Sequence, residues 1–217
     1  MSALTAIGPY DPVFDGQKHY RALLNCTARP GTIGLLDDVQ LEFPAGLSHA
    51  MALVALTLFS SDVSFHLQSG HLQSGDGDKA VADFLRRQTQ AFEASPSRAD
   101  FLLLDGEDDG AAVEALKLAK RGSLDFPETG ATAILQVASV SPAPLGDGLK
   151  LVLAGPGIET EAVVFVAGLS QAFLEVHSVC NREFPAGIDL ILACDSLSAG
   201  PCILSLPRTT KVRWESL

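Results

Sequence analysis

Apolar and polar residues alternate along this chain with two periods, and the places where the period switches mark its elements. Residues 132–140 are nearly continuous Ala, Ile, Leu and Val with one Gln, the pattern of a strand covered on both faces. Leu149, Leu151 and Leu153 alternate with Lys150 and Val152, the period of a second strand. The loop over 141–148 is too short for a helical crossover, so the pattern predicts two antiparallel neighbours at the centre of a sheet. Gly155-Pro156-Gly157 closes the second strand with turn residues.

The remaining elements alternate between helix and strand. Asp11 and Pro12 form a helix start, and an apolar stripe of Val13, Tyr20 and Leu24, with Phe14 and Leu23 beside it, carries the helix to about Ala28. Residues 32–36 read as a short strand, 47–59 as a helix apolar nearly all round and therefore buried, and 63–67 as a strand. A helix capped by Asp78, a strand over 101–104 and a helix over 111–120 follow. Residues 163–166 fit either a strand or a turn of helix. Residues 170–180 read as a helix, 188–193 as a strand and 202–206 as a last short strand. No composition break or long linker interrupts this order. The prediction is a single α/β domain over 1–217, three layers deep, with a mixed β-sheet.

Composition narrows the function classes. Of 217 residues, 47% are hydrophobic and 19% charged, as in an ordinary globular chain. Fifteen Lys and Arg against 26 Asp and Glu leave a net charge of −11, which disfavours nucleic acid and anionic membranes as partners. An anionic small molecule would need a local basic pocket. The longest helical apolar run falls short of the ~18 residues a membrane span needs, and no signal-peptide pattern opens the chain, so a soluble cytoplasmic protein is expected. Cys26, Cys180, Cys194 and Cys202 lie in apolar surroundings without metal-ligand spacing, which favours buried reduced thiols.

Candidate chemistry is sparse. The nucleophile elbow, the phosphate loop and the dinucleotide fingerprint are all absent. His66 and His71, in a tandem His-Leu-Gln-Ser-Gly repeat, lack a third ligand at useful spacing and read as a duplicated surface loop. The acidic cluster of Asp105, Glu107, Asp108 and Asp109 suits a helix start better than a cation loop. No metal site is expected. Glu128 reads either as a general base or as a cap on the following strand. Arg208, beside Thr209 and Thr210 and helped by Arg29, is the best local anion point, the alternative being an Arg paired to a carboxylate.

Five stretches taken in order resemble the PhnH family, a subunit of the bacterial carbon–phosphorus lyase system. They are Asp11-Pro12-Val13-Phe14-Asp15 with Tyr20-Arg21 and Arg29-Pro30-Gly31; Pro127-Glu128-Thr129-Gly130-Ala131-Thr132 into Leu135-Gln136-Val137; Gly155-Pro156-Gly157-Ile158; Phe184-Pro185-Ala186-Gly187-Ile188-Asp189; and Pro207-Arg208-Thr209-Thr210. The tandem repeat departs from the family's pattern.

The resemblance implies a fold like the large domain of pyridoxal-phosphate (PLP)-dependent transferases but without a cofactor site. It also implies a homodimer when isolated and assembly with PhnG, PhnI, PhnJ, PhnK and PhnL-like subunits. The implied function is support for transfer of an alkylphosphonate onto C1 of the ATP ribose with loss of adenine, as a subunit of alpha-D-ribose 1-methylphosphonate 5-triphosphate synthase without activity alone. A stand-alone PLP-type transferase or a small anion-binding protein is the alternative. None of the six lysines has the Ser-x-x-Lys context expected of a Schiff-base lysine.

Overall fold

The most continuous apolar runs become the middle strands of a large sheet, where both faces are covered. The computed structural model describes residues 10–68, 76–106, 109–144, 146–196 and 200–217. Its strands are β1 (Ile33–Leu35), β2 (Ser64–Gln68), β3 (Phe92–Glu93), β4 (Phe101–Asp105), β5 (Thr132–Gln136), β6 (Ser139–Ser141), β7 (Leu149–Ala154), β8 (Ala162–Ala167), β9 (Asp189–Ser196), β10 (Gly200–Leu206) and β11 (Lys211–Ser216). Seven form a mixed sheet in the order β1-β10-β9-β5-β4-β2-β3, and four form a second sheet in the order β11-β7-β8-β6. In the large sheet β3, β2, β4, β5 and β9 pair in parallel, and β10 and β1 are added antiparallel.

Side chains alternate across the large sheet and so feed two cores. Leu103, Ile134, Ile191 and Ile203 face α1 (Phe14–Ala28), α2 (His49–Leu58) and α3 (Asp76–Thr89). Leu102, Leu104, Leu135, Leu192 and Leu204 face α4 (Asp109–Leu118), α5 (Gln171–Cys180) and the second sheet. Chain direction accounts for the split. The β2–α3–β3 connection steps to the outer edge, whereas β4–α4–β5 steps inward, so right-handed crossovers put the two helices on opposite faces. All four cysteines are buried free thiols.

Helix α2 shows how the layers are tied. Residues Ala50–Ala55 are all buried, as an all-round apolar helix requires. Its first turn contains no acidic residue; Asp195 of β9 supplies the charge instead, its two carboxylate oxygens accepting from the His49 and Ala50 N–H groups at 2.8 Å each. Ser48 Oγ accepts from the Met51 N–H at 3.2 Å. With the Ser48 N–H donating to Gln136 Oε1 at 3.1 Å, all four orphan donors are satisfied. Asp11 serves α1 likewise, taking the N–H groups of Val13 and Phe14 at 2.8 and 3.0 Å. Those two bonds, Phe14's first, hold its carboxyl below the usual Asp range.

Three expectations are corrected. The run over 132–140 is not one strand, and β7 is not its hairpin partner. Val137 N–H still bonds to Ala193 O in the large sheet, but Ala138 N–H bonds to Ala167 O, so the chain changes sheets between these residues. There Gly168, at φ +75°, comes so close that a Cβ would sit 2.6 Å from the Ala138 nitrogen. β6 and β7 instead flank β8, which settles 163–166 as strand. The strand over 202–206 is not the last, because β11 follows and pairs with β7 through Trp214↔Leu151. Finally, the α1 stripe does not point at the core. Val13, Phe14, Tyr20 and Leu24 are exposed, and His19, Leu23 and Cys26 are the buried face. Of the tandem repeat over 66–75, residues 66–68 end β2, while 69–75 lie outside the described residues, as do the acidic residues 107 and 108.

Candidate functional site

Arg208 sits in the turn between β10 and β11, where Thr210 N–H bonds back to Pro207 O at 2.8 Å. Its guanidinium is held by Asp189 at the start of β9. Nη2 donates to Oδ2 at 2.6 Å, Nε lies 3.2 Å from both carboxylate oxygens, and the Arg208 backbone N–H donates to Oδ1 at 2.7 Å. Nη1 donates to Pro127 O at 2.7 Å, in the 3-10 turn Pro127–Thr129. The Arg208 side chain is 14% exposed and that of Asp189 34%, so this is a largely enclosed fork rather than a solvated surface pair.

Close backbone approach makes the fork possible. A Cβ on Gly130 would meet Gly187 O at 2.5 Å and Arg208 Nη1 at 3.0 Å, so only glycine fits where the 127–130 turn crosses the 184–189 loop. Gly187 N–H bonds to Arg121 O at 2.7 Å, and Ala131 N–H to Lys120 O at 2.9 Å. The Phe184–Pro185 peptide is cis. A second crossing lies beside it. Gly157, at φ +81°, approaches Ala28 O so closely that a Cβ would lie at 2.1 Å, and Gly155 approaches Thr209 O. The loops at 29–31, 127–131, 155–158, 184–189 and 207–210 therefore pack against one another in series at one end of the molecule, although they are scattered along the sequence.

The sequence-predicted residues take different places there. Arg208 and Thr209 line a cavity of about 540 Å³ between α5, β11 and the 207–210 turn. Glu128 is exposed on the 3-10 turn, next to the carbonyl that Arg208 grips. Arg29 is exposed and caps α1, its backbone N–H bonding to Asn25 O. Arg208 and Thr209 are brought together; Glu128 and Arg29 flank them on separate loops.

The sequence reading missed the cavity's other wall. His177, on α5, is buried and contacts Ile188 O through Nε2 at 3.0 Å, while Asn181 Oδ1 accepts from the Ile188 N–H at 2.7 Å and its Nδ2 donates to Ile188 O at 3.1 Å. Burial pushes the His177 pKa down to about 4, so the imidazole is neutral at physiological pH. Trp214, Val212 and Lys211 come from β11, an element the sequence reading did not contain. Its alternation of Lys211, Arg213 and Glu215 with Val212 and Trp214 was the available signal. Among the described residues no group of three His, Cys, Asp or Glu side chains is placed to hold a metal. No described helix is long and apolar enough to cross a membrane.

Comparison with known proteins gives a consistent match. The family described as "Bacterial phosphonate metabolism protein (PhnH)" matches residues 8–213. The chain is 34% identical over 205 residues to alpha-D-ribose 1-methylphosphonate 5-triphosphate synthase subunit PhnH of Rhizobium meliloti (strain 1021), covering 94% of each chain. It is 32% identical over 196 residues to the putative C-P lyase subunit protein HtxG of Stutzerimonas stutzeri, covering 90% of this chain and 85% of that one.

Proposed function

Because the chain belongs to the PhnH family of bacterial phosphonate metabolism proteins, we propose that it is an accessory subunit of a carbon–phosphorus lyase system. In this reading it supports transfer of an alkylphosphonate onto C1 of the ATP ribose with loss of adenine, as a single domain over residues 1–217. The observation that carries the proposal is the nearly full-length match to a relative named as a synthase subunit. The chain works with PhnG-, PhnI-, PhnJ-, PhnK- and PhnL-like partners in the cytoplasm and pairs with a second copy when isolated.

Two structural features support this reading. Val13, Tyr20 and Leu24 put an exposed apolar stripe on α1, with exposed Leu35 on the edge strand β1, which suits a covered surface in an assembly. The Arg208–Asp189 fork spends the guanidinium on holding loops together, which suits an organising subunit better than one carrying the chemistry. Arg208, Thr209, Arg29 and Glu128 belong to the proposal as the residues of the end that meets a ligand or partner. The likeness to the large domain of PLP-dependent transferases, without the cofactor, belongs to it too. The test is growth on methylphosphonate as sole phosphorus source by a strain lacking its own PhnH. This chain restores growth; failure to do so while it is expressed and folded overturns the reading.

A further inference from the structure

Strands β9 and β10 set two cysteines directly opposite each other. In their antiparallel register Cys202 faces Cys194, and both side chains enter the core that holds α4 and α5. The next pair along, Ile203 and Ala193, belongs to the other core. Directly opposed residues of an antiparallel ladder have Cα atoms about 4.5–5.5 Å apart, inside the range that a disulfide spans. The two sulfurs lie 2.8 Å apart, so a bond of ~2.05 Å needs them only about 0.8 Å closer. Strand pairing itself has thus brought the thiols to bonding reach, two residues in from the Ser196↔Gly200 end of the hairpin. Both cysteines are buried, β6 packs against both strands, and the Val140 backbone amide is in hydrogen-bond contact with Cys194. The S–H of Cys194 donated to the Cys202 sulfur favours a thiolate at Cys202 and pushes the Cys194 pKa up. The remaining cysteines are placed differently. Cys26 lies across the sheet in the other core, and the Cys180 sulfur contacts Leu116 O between α5 and α4.

We propose that Cys194 and Cys202 are a reversible two-electron redox site, a thiol pair that a peroxide converts to a disulfide between β9 and β10 and that a small dithiol restores. One sulfur, as thiolate, attacks a peroxide oxygen; the O–O bond breaks, hydroxide leaves and that sulfur becomes a sulfenic acid. The second sulfur then attacks the sulfenic sulfur, the S–S bond forms, the S–O bond breaks and the oxygen leaves as water. In sum the two thiols lose two electrons, hydrogen peroxide is reduced to two waters, and both thiol protons end in water. Because the second thiol is already in place, the sulfenic acid is captured before it is oxidised further. The site stands on strand register and burial, so its loss would leave the accessory-subunit reading untouched.

The test treats the folded, reduced chain with hydrogen peroxide, then unfolds it in iodoacetamide and maps its peptides by mass spectrometry with and without dithiothreitol. The expected product is a single Cys194–Cys202 link, lighter than the two thiols by two hydrogen atoms, with Cys26 and Cys180 alkylated. Dithiothreitol added before alkylation returns all four free thiols. The double variant Cys202→Ala/Ile203→Cys keeps a thiol on β10 but turns it to the other face of the sheet, because side chains alternate along a strand. That variant, when its thermal midpoint shows it folded, forms no link to Cys194. If it does not fold, the map of the unmutated chain decides by itself. A map without the Cys194–Cys202 link overturns the proposal. So does a link through Cys26 or Cys180 in its place, a link that dithiothreitol does not reverse, or a link to Cys194 in the folded double variant.

Discussion

At the scale of single residues, Arg208 does several jobs that one lysine cannot. It meets both oxygens of Asp189 and the Pro127 carbonyl at once, and only a planar fork presents donors in those directions. Arg208→Lys keeps the charge but loses at least one of those bonds, and Asp189→Asn leaves the guanidinium enclosed without its counter-charge. Each should lower unfolding free energy by on the order of 1–3 kcal/mol, discounted from the fully buried case because Asp189 is one-third exposed. Denaturant unfolding of both singles and the double then gives a coupling of about 1–3 kcal/mol, because the double removes one shared interaction rather than two. Additive losses would mean the fork is incidental.

At the scale of elements, α5 carries a pH dependence. His177 has a folded-state pKa of about 4, below its unfolded value near 6.5, because burial penalises the charged ring. The unfolded chain therefore binds the proton first. The stability that the neutral ring contributes is complete above pH ~6.5 and is lost as pH falls through about 4. The full loss is on the order of a few kcal/mol, and His19, whose pKa burial also lowers, adds in the same direction. Thermal melts between those limits should show the slope, and His177→Gln, which can still donate to Ile188 O, should flatten it at some cost in stability. An unchanged slope would place the titration elsewhere.

The same scale shows what was legible in the sequence. Helices α1, α2 and α5 were readable because caps and periodicity act locally: Asp11, Ser170 and the uninterrupted apolar run over 50–55 lie within a turn or two of what they specify. The central hairpin was misread because strand pairing is non-local. A covered strand of the large sheet and one of the small sheet have the same apolar pattern, and only the crossing at Ala138 and Gly168 separates them. The α1 stripe misled for another reason, since periodicity gives an apolar face but not what covers it. In the candidate site Arg208 was legible by type, while its partner Asp189 was hidden inside a strand run. Asn181, Arg182 and Trp214 acquire meaning only once α5 and β11 face each other across the cavity.

At the scale of the whole molecule, one sheet separates two cores, and the loops that bear the family resemblance gather at one end. The exposed α1 stripe lies on the face of the large sheet opposite α5 and the cavity wall. The molecule thus has an exposed apolar stripe on one side and a cavity of about 540 Å³ on the other, and neither contains an evident nucleophile–base pair among the described residues. In the proposed accessory role the chain contributes to the reaction by completing an assembly. The most direct measurement is adenine release from ATP and methylphosphonate, with the chain alone, with PhnG-, PhnI- and PhnL-like partners, and with those partners lacking it. The account predicts release only from the complete set, with none from the isolated chain and a loss when this chain is left out. Turnover by the isolated chain, or undiminished release without it, would contradict the account.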